Sequence, residues 1–252
     1  MIDLPARQDD PRLQGWYHTI ELGNGLVSDG FFDHRPVVHR YGIPESLRGK
    51  EVLDVGTGDG FFAFEMERRG AARVTAIDVA RMKDCDWVPN MRYRLADAAM
   101  GDPWPRHFRL AHAMRRSRVD YKPCNVYDLS PYTVGMFDIV FCGSLLLHLQ
   151  NPLAALIAIR SVTREYAIIE TAIEPEWDEK YPSRPVLSFG YQKDEVVPGE
   201  NNAFWVMSSC TLEKMIRYAG FAEVERQGTF MLPPHTDVTA CSMIAKPPPA
   251  WG

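Results

Sequence analysis

From residue 50 onward, short apolar runs alternate with amphipathic stretches. Residues 52–55 and 73–78 predict two strands, and residues 61–69 between them predict a helix that ends at Gly70. A strand, a helix and a second strand in this order favour a right-handed crossover between parallel neighbours. The pattern therefore predicts a βαβ unit at the start of an α/β domain.

The alternation of strands and helices continues toward the C-terminal end of the chain. Further strands are predicted at 119–126, 137–142, 166–171, 221–225 and 237–245, with helices at 152–160 and 211–219. Alternation of this kind predicts a sheet that is covered by helices on both faces.

Two segments lack this periodicity. Residues 1–48 carry aromatic and turn residues in short bursts, which predicts an N-terminal cap. Residues 172–207 hold four prolines among aromatic residues, which predicts a lid insertion over the active site. The core is then expected to consist of residues 49–171 and 208–252.

The composition is that of an ordinary globular protein. Hydrophobic residues make up 46% and charged residues 24%, and the formal net charge of −5 gives no general attraction to nucleic-acid phosphates. One basic stretch departs from this balance, and we interpret it as a solvated helix surface, with a phosphate-binding face as the alternative. This stretch contains Arg106, His107, Arg109, His112, Arg115, Arg116 and Arg118.

Cysteine usage and hydropathy bear on the compartment. The five cysteines are scattered and form no C-x-x-C pair, which predicts reduced thiols and no metal site. The N-terminus has no apolar targeting region, and no stretch approaches the roughly 18 apolar residues that span a bilayer. We expect a cytoplasmic protein that binds no membrane, either a monomer or a homodimer.

A glycine-rich turn, Gly56-Thr57-Gly58-Asp59-Gly60, follows the first predicted strand. Small residues let the backbone approach a ligand, and the N-terminus of the next helix favours polar ligand groups. Asp78 ends the second strand at the spacing where an acid accepts hydrogen bonds from ribose hydroxyls, although it can also be a helix N-cap. Asp54, just before the turn, suits an ammonium group better than a pyrophosphate. These residues predict a nucleoside-containing cofactor.

Residues 52–60 resemble the first-strand motif of the class I S-adenosylmethionine-dependent methyltransferases, and residues 137–144 resemble their fourth-strand motif. The resemblance implies a Rossmann-like, seven-stranded, mostly parallel sheet with a final antiparallel strand. It also implies S-adenosyl-L-methionine as the cofactor and S-adenosyl-L-homocysteine as the product. The implied cofactor-binding residues are Asp54, Gly56, Thr57, Gly58, Asp78, Asn125, Val126, Cys142, Gly143 and Ser144.

In that resemblance each part of the cofactor has its own residues. Asp54 would hold the amino group, Gly56 and Gly58 would face the methionine part, and Asp78 would hold the ribose. Asn125 would lie beside the adenine. A nicotinamide dehydrogenase is the weaker interpretation, because the third glycine is misplaced for a dinucleotide fingerprint.

Flanking motifs resemble the methyltransferase branch that includes the tRNA wobble-uridine enzymes. These motifs are Trp16-Tyr17-His18, Gly30-Phe31-Phe32-Asp33, Leu145-Leu146-Leu147-His148 and Asn201-Asn202-Ala203-Phe204-Trp205. Because the chain lacks a strongly basic surface, we favour a small aromatic or heteroaromatic acceptor of secondary metabolism. Methylation of tRNA is the alternative, and a fold that binds the cofactor but has lost transfer chemistry is a third hypothesis.

Aromatic residues of the cap and the insertion are the candidates for binding the acceptor, although each can equally pack the cap onto the core. The predicted acceptor-binding residues are Trp16, Phe31, Phe204, Trp205 and His235, with Tyr17, Phe32, Trp177 and Tyr191 as further aromatics in these segments.

An O–H or N–H acceptor must lose a proton during methyl transfer. The candidate catalytic residues are His148, His18 and Tyr17. His148 leads because it follows the fourth strand and an imidazole titrates near neutral pH, with a histidine bonded to a backbone carbonyl as the alternative. Glu170, near the end of the fifth strand, can lie at the pocket rim or bind a structural arginine.

Overall fold

A mostly parallel sheet of seven strands forms the centre of the protein. The computed structural model describes residues 4–87, 104–105, 107–189, 203–235 and 237–249. Arg106, Tyr191, Asn201 and Asn202, which the sequence singles out, lie outside the described residues.

Thirteen strands are present in the described part of the chain. In chain order they are β1 (Trp16–His18), β2 (Glu21–Gly23), β3 (Leu26–Val27), β4 (Gly30–Phe32), β5 (Glu51–Val55), β6 (Arg73–Asp78), β7 (Asp120–Pro123), β8 (Phe137–Gly143), β9 (Thr163–Ile173), β10 (Leu187–Phe189), β11 (Trp205–Met207), β12 (Glu223–Met231) and β13 (Thr239–Lys246). The α-helices are α1 (Phe61–Arg68), α2 (Phe108–Arg115), α3 (Pro152–Ser161), α4 (Pro175–Lys180) and α5 (Ser209–Tyr218).

The large sheet has the strand order β12-β13-β9-β8-β5-β6-β7. β13 is antiparallel to both of its neighbours, β9 and β12, and the pairs from β9 to β7 are parallel. The predicted fold class, a seven-stranded, mostly parallel sheet with an antiparallel strand near its end, is therefore confirmed.

Local signals set the ends of several elements. α3 begins with Pro152 directly after Asn151, whose side chain accepts a hydrogen bond from the Ala154 amide at 3.0 Å. Our prediction of the third strand was too long: β7 ends at Pro123, which cannot donate to a ladder, and Asn125 then caps a short 3-10 turn. Residues predicted as a strand up to position 126 therefore leave the sheet early.

Other boundaries also differ from the predicted ones. β12 runs over Glu223–Met231 and β13 over Thr239–Lys246, instead of 221–225 and 237–245. α5 begins at Ser209, two residues earlier than predicted, because the Ser208 side chain accepts from the Thr211 amide. β12 is longer because a register irregularity between Arg226 and Gly228 lets it continue past the predicted end.

Side chains of the central strands alternate between two apolar cores, one on each face of the sheet. The first core includes Leu53 and Val55 of β5 with apolar residues of α3 and α5. The second includes Val52, apolar residues of α1 and α2, and the N-terminal segment. Both faces are thus buried, and each fully buried large apolar side chain stabilises the fold by about 1.5–3 kcal/mol.

The N-terminal segment is irregular but well packed. β1 pairs with β4 in parallel, and β2 pairs with β3 in antiparallel fashion. Its side chains Leu13, Trp16 and Tyr41 are almost fully buried in the second core. In the other segment without periodicity, β10 pairs with β11, and α4 precedes them. The division of the chain into a cap, a core and a lid stays a prediction.

Candidate active site

Four polar or glycine positions meet at the carboxyl ends of neighbouring strands. Val52 and Phe141 face the second core, so alternation along β5 and β8 points Asp54 and Gly143 to the same side. The same pattern puts Asp78 of β6 and Glu170 of β9 on that side. In open α/β sheets ligands bind outside the carboxyl ends of the strands, where the strand order reverses.

Asp54 is a buried carboxyl group with few partners. It is 2% exposed, and its Oδ2 accepts a hydrogen bond from Thr57 Oγ1 at 2.7 Å. Burial raises the pKa of Asp54 to about 7; the nearby Asp78 adds to the rise, and the bonds from Thr57 and the Ala63 amide oppose it. A cation next to this carboxyl group would restore its charged form.

Asp78 connects the glycine turn to a distant tryptophan. Its Oδ2 accepts from the Gly58 amide at 3.0 Å, and its Oδ1 accepts from the Val79 amide at 2.8 Å and from Trp104 Nε1 at 3.0 Å. Burial raises its pKa to about 6 against these three hydrogen bonds. Asp78 caps no described helix, so the N-cap alternative is not what the structure has.

The glycine turn brings its backbone close to other parts of the site. Gly58 has a φ of +54°, and a Cβ there would lie 3.3 Å from His18 Cε1. A Cβ on Gly60, where φ is +97°, would come within 2.6 Å of the Phe64 ring. The turn therefore needs glycine for both conformation and space.

One cavity of about 270 Å³ runs along these strand ends. All predicted cofactor residues except Thr57 and Cys142 line it, and so do the candidate catalytic residues Tyr17, His18 and His148. Thr57 and Cys142 are buried behind the wall, and burial raises the pKa of the Cys142 thiol well above its usual range. The five predicted acceptor-binding residues are not among those that line the cavity.

Asp59 ties the N-terminal segment to the glycine turn. Its Oδ2 accepts from the backbone amides of Tyr17 at 2.6 Å and His18 at 3.0 Å, and its Oδ1 lies 3.3 Å from His107 Nδ1. Burial alone would raise the pKa of Asp59, but the His107 bond and the nearby His18 outweigh burial and lower it. Sequence reasoning missed this role, because nothing in the turn motif indicates a partner some 40 residues away.

Tyr17 and His18 form the wall that faces the glycine turn. Burial lowers the pKa of His18 to about 4, with Asp59 opposing, so its imidazole is neutral at neutral pH. Its Nδ1 is buried and has no hydrogen-bond partner among the described residues. Burial also raises the pKa of the Tyr17 hydroxyl well above its usual range, assisted by Glu170 and Asp59.

The predicted adenine end of the cavity contains further polar side chains. Asn125 lines the cavity and accepts from the Tyr127 amide at 3.1 Å. Tyr127 donates its hydroxyl hydrogen to Asp86 at 2.6 Å, and Asp86 also accepts from the Gln150 amide at 2.7 Å. Asp86 and Trp104 could not be predicted as site residues, because neither lies in a recognisable motif.

His148 lies in a short 3-10 turn, Leu146–His148, which begins three residues after the end of β8. Two later residues support this turn, since the Phe204 amide donates to the Leu147 carbonyl at 2.7 Å and Trp205 Nε1 donates to the Leu149 carbonyl at 2.8 Å. Two predicted acceptor-binding residues therefore contact the backbone beside His148.

The other predicted acceptor-binding residues lie in the N-terminal segment or pack against it. Trp16 is 2% exposed and stacks on His107, with ring centroids 4.7 Å apart. Phe31 is 56% exposed and stacks on His235 at 4.2 Å, and Phe32 packs against Tyr17 at 5.3 Å. A row of contacting aromatic rings thus leads from Phe31 at the surface through Phe32 to Tyr17, which lines the cavity.

Three of the six described residues of the basic stretch are engaged within the protein. His107 bonds Asp59, His112 bonds the Val119 carbonyl, and the Arg115 guanidinium lies over the Phe64 ring. Arg109, Arg116 and Arg118 are exposed, and the Arg118 side chain makes a long ion pair with Glu67 at 4.0 Å. The described residues contain no group of acidic, histidine or cysteine side chains that could hold a metal ion, and no described helix is long and apolar enough to cross a membrane.

Residues 53–169 match a family of methyltransferase domains. The chain is 26% identical over 182 residues to the ubiquinone biosynthesis O-methyltransferase of Neisseria meningitidis serogroup C (strain 053442). The aligned region covers 72% of this chain and 68% of that protein. It is 27% identical over 179 residues to the tRNA U34 carboxymethyltransferase of Pseudomonas paraeruginosa (strain DSM 24068 / PA7). Here the aligned region covers 70% of this chain and 46% of that protein. The match thus spans less than half of the tRNA enzyme.

Among solved structures, the N-terminal domain of EvdMO1, crystallised in the presence of SAH and D-fucose, has a similar fold. It aligns with a TM-score of 0.61 and 16% identity, and covers 93% of this chain and 92% of that chain. The fold, the cavity at its strand ends and these matches define a class I S-adenosylmethionine-dependent methyltransferase. Within that class, the chain is similar both to the ubiquinone biosynthesis O-methyltransferase and to the tRNA U34 carboxymethyltransferase.

Proposed function

We propose that the protein methylates a small aromatic or heteroaromatic molecule, which binds at the end of the cavity closed by the N-terminal segment. One observation carries this proposal: the cavity lined by Asp54 and Asp78 is also lined by Tyr17, His18 and Ser144. Donor and acceptor would then lie in one chamber, as an in-line transfer between aligned groups requires.

The buried carboxyl groups of the site fit the cofactor. Asp54 and Asp78 lie close enough that Asp78 raises the pKa of Asp54, and no described arginine or lysine pairs with either. Such a pair is stabilised by a ligand that brings a positive charge and hydroxyl donors. Asp54 would hold the ammonium group, Asp78 the ribose and Asn125 the adenine. When bound, the cofactor supplies a methyl group on a positively charged sulfur.

The chain itself would orient the two reactants and exclude water. Asp59 holds Tyr17 and His18 over the glycine turn, and Phe62 and Phe141 contribute apolar wall between the turn and β8. The exposed stack of Phe31 on His235 offers a flat surface on the way to Tyr17. A planar, uncharged acceptor matches these surfaces better than an extended polyanion does.

Two experiments test the proposal. Calorimetry with S-adenosyl-L-homocysteine measures the donor site, and release of that product from S-adenosyl-L-methionine is then followed with phenols, N–H heteroaromatics and bulk tRNA. Turnover with a phenol or an N–H heteroaromatic is the expected result. Cofactor binding without turnover on any of these small molecules would contradict the small-molecule acceptor.

Methylation of tRNA is the second candidate, because the chain is 27% identical to a protein named a tRNA U34 carboxymethyltransferase. The exposed Arg109 on α2, Arg116 at its C-cap and Arg118 just beyond it are the side chains that would contact phosphates. Binding of bulk tRNA that weakens steeply with salt, together with tRNA-dependent product release, would favour this candidate.

A further inference from the structure

Glu170 is a fully buried carboxyl group directly behind the cavity wall. It lies beside Gly143 in the register of β8 and β9, and a Cβ on Gly143 would come within 3.2 Å of Glu170 Oε2. Gly143 and Ser144 line the cavity, whereas Glu170 is 0% exposed. Only the end of β8 separates this carboxyl group from the cavity.

Ser144 connects Glu170 to the cavity. Its Oγ donates a hydrogen bond to Glu170 Oε2 at 3.0 Å, and its amide donates to the Glu170 carbonyl at 3.1 Å. Ser144 has a φ of +49°, a left-handed conformation that is unfavourable for a residue with a Cβ. Two hydrogen bonds to one residue hold Ser144 in this strained conformation, which is typical of functional positions.

Glu170 has no basic partner in the described part of the chain. Its Oε1 accepts no hydrogen bond there, and it forms no ion pair, so the structural-arginine alternative is not what the structure has. Burial raises the pKa of Glu170 to about 7, and the two bonds from Ser144 oppose the rise. A carboxyl group with this pKa can accept a proton at neutral pH.

Four titratable groups from three parts of the fold interact with Glu170, and all four are neutral at neutral pH. They are the hydroxyls of Tyr17 and Tyr41 in the N-terminal segment and the thiols of Cys142 on β8 and Cys241 on β13, and burial together with Glu170 raises the pKa of each. None of them supplies a positive charge, so the negative charge of the Glu170 carboxylate can be neutralised only by a proton or by a ligand.

We propose that Ser144 and Glu170 receive the proton of the acceptor, which makes an O–H or N–H nucleophile the acceptor class; this inference rests on the proposed function. The acceptor atom forms its bond to the methyl carbon, and the sulfur–carbon bond breaks with its electron pair left on sulfur. The acceptor proton passes to Ser144 Oγ as the Ser144 proton passes to Glu170 Oε2. Ser144 contacts the substrate, and Glu170 is a positioning residue behind it.

The test compares acceptors of graded acidity, from phenol to 4-nitrophenol, in Glu170→Gln and Ser144→Ala. Both variants should lower kcat for phenol by roughly 100-fold. They should change kcat little for 4-nitrophenol, which is already ionised at pH 8. Glu170→Gln should also leave KM and S-adenosyl-L-homocysteine affinity unchanged. Ser144→Ala is compared at saturating cofactor, because Ser144 lines the cavity and is also a predicted cofactor-binding residue. The pH dependence of kcat for phenol should lose its ionisation near neutral pH in Glu170→Gln.

The neighbouring Thr171→Val is the matched control. Thr171 is equally buried, its Oγ1 also has no partner among the described residues, and it points to the other face of β9. This variant should leave both reactions unchanged. Equal loss for phenol and 4-nitrophenol in Glu170→Gln would identify a merely structural group and overturn the inference, as would no loss at all.

Two further outcomes are also decisive. If Glu170→Gln does not fold, judged by circular dichroism, Ser144→Ala decides the question alone, because it leaves the buried carboxyl group in place. If the wild-type protein binds S-adenosyl-L-homocysteine but methylates no phenol and no N–H heteroaromatic, the proposed function fails and the inference fails with it. Failure of the inference alone would show in the variants while the wild type still turned over.

Discussion

The two walls of the cavity are built in different ways. The donor wall consists of the ends of β5, β6 and β8, where Asp54, Asp78 and Gly143 are fixed by the ladder of a parallel sheet. The facing wall consists of Tyr17 and His18, which belong to a three-residue strand whose one partner among the described strands is β4. The donor wall is part of the central sheet, whereas the facing wall is bonded to the glycine turn through Asp59.

Asp59 is the point where the two walls meet. It lies in the glycine turn of the donor wall, yet its carboxyl group accepts both backbone amides of the facing wall. Because these bonds join residues more than 40 positions apart, cofactor binding at the turn and order in the N-terminal segment should depend on each other. We therefore expect substitutions in the two walls to lower cofactor affinity and the free energy of unfolding by different amounts.

The largest loss is expected from Asp78→Ala. This change removes the predicted ribose acceptor and leaves the Gly58 amide and Trp104 Nε1 without their partner. Loss of charged hydrogen bonds of this kind is worth about 3 kcal/mol, which lowers S-adenosyl-L-homocysteine affinity roughly 100-fold. Isothermal titration calorimetry measures the change.

Asp120→Ala on β7 is the control for this experiment. Asp120 is exposed, and its ion pair with Lys122 at 3.6 Å contributes little to stability. Its removal should leave the affinity as it is. Undiminished affinity in Asp78→Ala would mean that the donor wall binds the cofactor through other residues.

A smaller loss is expected from Asp59→Ala, which frees the facing wall. The Tyr17 and His18 amides lose their acceptor, which should lower the free energy of unfolding by about 2 kcal/mol. Hydrogen exchange at residues 16–18 should accelerate, and cofactor affinity should fall less than in Asp78→Ala. The exposed Asp29→Ala in the same segment is the control. Unchanged exchange at residues 16–18 would show that other contacts hold this wall.

The donor wall was largely predictable from the sequence. The spacing of the apolar runs predicts the parallel strands. A strand, a glycine turn and an acid at position 78, 24 residues after Asp54, are features of the local sequence that predict a nucleoside-binding site. The structure brings Asp54, Gly58 and Asp78 together as the motif predicts. Only the roles of these residues toward a ligand stay predictions.

The facing wall was not predictable in the same way. The sequence predicts Trp16 and Phe31 as acceptor-binding aromatics, yet Trp16 is buried against His107, and neither lines the cavity. Aromatic residues do not reveal in the sequence which neighbours they will pack against, because those contacts are long-range. The bonds of Asp59 and the burial of Glu170 depend on such contacts too, and no local pattern reports them.

The charge state of the donor wall should make binding depend on pH. A bound ammonium group requires ionised Asp54, whose pKa is raised to about 7 in the free protein, so affinity should fall about tenfold from pH 8 to pH 6. Binding below pH 7 should release a proton, which calorimetry in buffers of different ionisation enthalpy detects. The same shift makes the free protein lose stability as the pH rises from about 4 to about 7. Asp54→Asn should reduce the proton release to the share that comes from Asp78, whose pKa is raised to about 6, and a pH-independent affinity would contradict this role.

The smallest effect on the folded protein is expected from Phe31→Ala, at the outer end of the facing wall. Phe31 is 56% exposed, and its main contact is the His235 ring at 4.2 Å, so the free energy of unfolding should change by no more than about 0.5 kcal/mol. Cofactor affinity should not change, because the donor wall is intact. If the stack guides an aromatic acceptor, KM for that acceptor should rise while kcat is retained. The fully exposed Tyr132→Ala is the control, and an unchanged KM would mean that the acceptor reaches Tyr17 by another path.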